Sequence, residues 1–120
     1  MKENKLADLS MDLAVNTIKL CESIKGHYSL TNQLERSVTS IGANIREANY
    51  GCSDADFLLK MQIALKECYE SQYWLELMVS THAMTQEQVA NMDKKILLSR
   101  FRKANIALEL TSIMALPFVR

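Results

Sequence analysis

Between Phe57 and Met78, apolar and small residues recur at alternating steps of four and three: Phe57, Met61, Ala64, Cys68, Ser71, Leu75 and Met78. Only an α-helix brings such positions onto one side, because 3.6 residues per turn holds them in a stripe that a strand would split between two faces. Ser53 stands before this run as an N-cap, and Asp54 and Asp56 follow in the first turn, where carboxylates meet the positive helix end. The spacing predicts a helix over about 54–82, roughly 40 Å long.

The same reading accounts for the rest of the chain. Leu6, Leu9, Leu13, Thr17, Leu20 and Ile24 mark a first helix over about 6–24, and Gly26 ends it by admitting a left-handed residue. Leu34, Val38, Ile41, Ile45 and Ala48 mark a second over about 30–49, before a break at Asn49-Tyr50-Gly51-Cys52. Thr85 and Gln88 form a capping box for a fourth helix, about 86–114, which stops before Pro117. Three glycines and one proline are too few to supply the turns of a multi-stranded fold. Four amphipathic helices with short connections predict one all-α domain over residues 1–120, an antiparallel up-down four-helix bundle.

Composition narrows the function classes. Fourteen basic residues balance fourteen acidic ones, so the overall excess of positive charge that usually marks a nucleic-acid binder is missing. Aromatic residues make up 7%, too few for a large base-stacking surface. The N-terminal run MKENKLADLS has no signal-peptide-like apolar core, and no stretch reaches the roughly 18 apolar residues of a membrane span. Cys21, Cys52 and Cys68 are odd in number and lack C-x-x-C spacing. They read as reduced thiols of a cytoplasmic protein.

Two features depart from a plain bundle. At 100° per residue, Ile63, Glu67, Glu70, Trp74 and Leu77 share an arc of roughly 80° beside the main seam, so two carboxylates stand among apolar neighbours. The second helix answers with Arg36, Ser37, Ser40, Asn44 and Glu47 along the edge of its apolar stripe. One reading is a solvated flank. The other is a structural polar network of Arg36, Ser40, Asn44, Glu47, Glu67 and Glu70, with Arg36 and Asn44 donating to Glu67 or Glu70 across the helix pair. The second feature is a surplus of apolar residues outside the seam, Leu58, Leu65, Tyr69 and Tyr73, which suggests a second contact surface and self-association.

The run Gln33 to Ala48, QLERSVTSIGANIREA, resembles the 23S rRNA intervening-sequence proteins, also labelled S23 ribosomal proteins. The likeness continues through Ser53, Asp56-Phe57, Ile63-Ala64-Leu65-Lys66-Glu67, Glu70 and Tyr73-Trp74-Leu75-Glu76-Leu77, with Ser10-Met11-Asp12-Leu13-Ala14 in the first helix. Glu35 and Val38 stand where many relatives carry a basic and a small residue. The resemblance implies a four-helix-bundle subunit, assembly into a homopentameric ring, and for some relatives an origin inside 23S rRNA genes. A related branch binds nucleic acid and a reverse transcriptase through strongly basic surfaces, which a neutral chain does not reproduce.

Three functional classes stay open at this point. The first is a non-catalytic, self-assembling adaptor with a weak RNA, DNA or protein partner, whose candidate nucleic-acid contacts are Lys94, Lys95, Arg100, Arg102 and Lys103. The second is a purely structural oligomerisation module. The third is a carboxylate metal-binding enzyme, disfavoured because carboxylate-metal bundles use Glu-x-x-His pairs and no His follows a Glu at that spacing. There is no P-loop and no G-x-S-x-G. The expectation is a protein with no catalytic residues, cofactor or metal.

Overall fold

A computed structural model of the chain describes residues 4–90. They form α1 (Asn4–Glu22), α2 (Tyr28–Asn49), α3 (Asp54–Ser80) and α4 (Gln86–Ala90), with no strand among the described residues. The architecture is an all-α helical bundle. The expected continuation of the fourth helix to about residue 114 lies outside the described residues.

Local chemistry sets the helix ends. The Ser53 hydroxyl accepts from the Asp56 N–H at 3.1 Å, and the Asp56 carboxylate accepts from the Cys52 N–H at 3.3 Å. A side chain at Gly51 would collide with that cap, since an added Cβ would lie 2.8 Å from Asp56 Oδ2 and 3.2 Å from the Ala48 carbonyl. Thr85 and Gln88 make the reciprocal capping box, at 2.8 and 3.1 Å. Two ends fall short of the spacing. α1 gives way after Glu22, because the Ser23 and Ile24 N–H groups turn to carbonyls three residues back, yet Ile24 stays buried. α3 closes after Ser80, where His82 takes φ +63° and the Ala83 N–H reaches back to the Met78 carbonyl at 2.8 Å.

Cross-helix contacts give the helix directions. Ser10 of α1 stands against Gly42 of α2, while Cys21, late in α1, lies beside Glu35, early in α2. Ser37 of α2 bonds Ser71 of α3, whereas Glu47, later in α2, meets Lys60, earlier in α3. Ascending one helix descends the next, so both pairs are antiparallel. α2 packs against both neighbours and forms its larger contact with α3.

The core follows the stripes. Leu34, Val38, Ile41, Ile45 and Ala48 of α2 are all buried, as are Met61, Ala64, Cys68, Ser71, Leu75 and Met78 of α3. Truncating a fully buried Leu, Ile or Met among them would cost about 2–5 kcal/mol. On α1 the buried set is Leu6, Ser10, Leu13, Thr17 and Cys21, with Ile24 buried just beyond its end, while Leu9 and Leu20 are only partly buried. Gly42 opposite Ser10 explains the turn of that face, because a residue without a side chain lets the small hydroxyl close on α2. Leu65, expected on an outer surface, is 1% exposed, and Gln62 beside it is also buried. α3 is therefore covered over more than one stripe. The outer surplus narrows to Tyr69 and Tyr73, joined by Leu59.

Candidate functional site

The segments that carry the polar departures meet along one groove. It runs between α2 and α3, with a volume of about 520 Å³, and is lined chiefly by Gln33, Arg36, Ser37, Ser40, Glu67 and Glu70. Steps of three and four residues put the α2 members on one side of that helix, and Glu67 and Glu70 face them from the α3 flank.

The groove floor is a buried hydroxyl pair. Ser37 donates to the Leu34 carbonyl at 3.0 Å and lies 2.9 Å from the Ser71 hydroxyl, which donates to it across the helix interface. Ser71 has a second acceptor, the Glu67 carbonyl, also at 2.9 Å. One hydroxyl hydrogen serves one acceptor fully, so the cross-helix and intrahelical contacts of Ser71 share a single proton. This link was legible only as two small residues on facing stripes.

The wall differs from the network expected across the helix pair. Asn44 donates to the Ser40 carbonyl at 2.9 Å and to the Ser40 hydroxyl at 3.1 Å, both within α2. Its short side chain reaches the preceding turn more readily than a neighbouring helix. Glu70 accepts from Trp74 Nε1 at 3.0 Å, one turn along α3. Glu47 pairs with Lys60 at 2.9 Å toward the α2–α3 loop, away from the groove. Arg36 is exposed and acts on Glu67 through its charge, with no hydrogen bond between them. Four of the six expected residues, Arg36, Ser40, Glu67 and Glu70, thus share the groove, and of these Ser40 and Glu70 bond along their own helices.

Burial pushes the Glu67 carboxyl above its ordinary range, and the Glu70 charge adds to the rise; Lys66 and Arg36 oppose it only in part. Among the described residues, no three His, Cys, Asp or Glu side chains converge as metal ligands. The Cys21 thiol is pushed up to about 12 by burial and then by the Glu35 carboxylate, so it stays protonated and weakly nucleophilic near neutrality. Cys68 is buried and Cys52 exposed. No described helix is long and apolar enough to cross a membrane.

A second groove lies on the other side of α2. It encloses about 410 Å³ between α1 and α2 and is mainly apolar, lined by Ala7, Met11, Ala14, Val15 and Ile18 facing Gly42 and Ala43. Met11 is 51% exposed and Val15 39%. The two grooves share Thr39 and Ala43, which form a ridge between them. Met11, Val15 and Ile18, at steps of four and three, were the available sequence signal for this second α1 stripe. Lys94, Lys95, Arg100, Arg102 and Lys103 lie outside the described residues.

Comparison with known proteins gives a consistent result. Residues 2–100 match the model of the 23S rRNA-intervening sequence protein family. Four solved chains match as well. One is a protein with unknown function from the S23 ribosomal protein family of Bacteroides thetaiotaomicron VPI-5482. It is 38% identical, with a TM-score of 0.69 over 97% of this chain and 100% of that one. No curated protein matches.

Proposed function

The chain belongs to the 23S rRNA-intervening sequence protein family, and from that premise we propose that it works as a non-catalytic, self-assembling scaffold in the cytoplasm. Apolar exposure on two separate faces carries this reading. Met11 and Val15 are exposed beside the α1–α2 groove, and Leu59, Tyr69 and Tyr73 are exposed on α3. A subunit that keeps large apolar side chains in water on two faces gains by covering them with another macromolecule. Copies of the same chain are the simplest cover, and the resemblance of Gln33–Ala48 to its family implies a ring of five.

The chemistry of the site supports a binding role. Of its carboxylates, Glu70 accepts from Trp74 and Glu67 faces the Arg36 charge, and the buried Cys21 thiol is a poor nucleophile at neutral pH. Cys21, Cys52 and Cys68 form no disulfide, which suits a reducing compartment. Sedimentation velocity and native mass spectrometry of the whole chain test the assembly. Five subunits are expected at micromolar concentration, and a monomer throughout would overturn the reading.

The adaptor role adds a nucleic-acid or protein partner, with Lys94, Lys95, Arg100, Arg102 and Lys103 as the candidate phosphate contacts. Filter binding of RNA and DNA across a salt series tests it. Retention that falls steeply with salt is expected. No retention at low salt would leave a purely structural module.

A further inference from the structure

We draw no further inference here: the strongest candidate, the apolar groove between α1 and α2 with Arg46 at its rim, is an open face, and nothing in the structure shows what covers it.

Discussion

Replacing Gly42 with alanine tests the closest approach of α1 to α2. Two effects oppose each other there. Alanine within a helix is favoured over glycine by about 1 kcal/mol. The added Cβ, however, would lie 3.2 Å from the Ser10 hydroxyl oxygen, a few tenths of an ångström too close. Ser10 has little freedom to retreat, since it is 1% exposed and donates to the Ala7 carbonyl at 2.9 Å. Bending or losing that bond forfeits about 0.5–1.5 kcal/mol. The terms nearly cancel, so Gly42→Ala alone should change stability by less than about 0.5 kcal/mol. Ser10→Ala removes the obstructing atom, because the next Ser10 atom, its Cβ, is 3.7 Å away. In that background Gly42→Ala should stabilise by about 1 kcal/mol, or about 3–6 °C in Tm. Urea unfolding of the four proteins, followed by far-UV circular dichroism at one protein concentration, closes the cycle. Equal effects of Gly42→Ala in both backgrounds would refute the reasoning, since Ser10 would then be irrelevant to the need for glycine.

Three further outcomes follow from the helix end and the thiols. His82 holds φ +63° in the position after α3 where glycine usually sits, so His82→Gly should raise stability by about 0.5–1 kcal/mol in thermal unfolding; a loss would mean the side chain contributes more than the backbone strain costs. Of the three thiols, Cys52 should react with Ellman's reagent in the folded protein at pH 8, and Cys21 and Cys68 only after denaturant is added; three fast thiols would refute the burial. Cys21 also fixes a sign at alkaline pH. Its folded pKa, about 12, lies above the ordinary 9.0, so folding holds the proton and the associated stability is lost as pH rises from 9 toward 12. Cys21→Ala should flatten that part of the stability–pH curve, and an unchanged slope would count against the assignment.

Periodicity alone placed the first three helices, their order and most of the core among the described residues. The stripes of α2 and α3 went under as written, because a helix buries whatever its 3.6-residue period aligns. The caps at Ser53 and Thr85 were equally legible, since capping is settled by residues three apart in the chain. The sequence also brought Arg36, Ser40, Glu67 and Glu70 to a shared edge between two helices.

The partners of those groups were decided only by the tertiary structure. The sequence offered Asn44 and Glu70 partners on the facing helix as well as along their own, and the nearer turn holds both. Spacing cannot rank two contacts whose difference is an interhelical distance. That distance is set by Gly42 against Ser10 and by Ser37 against Ser71, where small side chains let the helices close. The same packing submerged Leu65 and left Tyr69, Tyr73 and Leu59 outside. A sequence pattern gives the angular position of a residue on its helix. How much of that helix its neighbours cover is a property of the assembled bundle, and so is the pair of grooves that frames the α2 ridge.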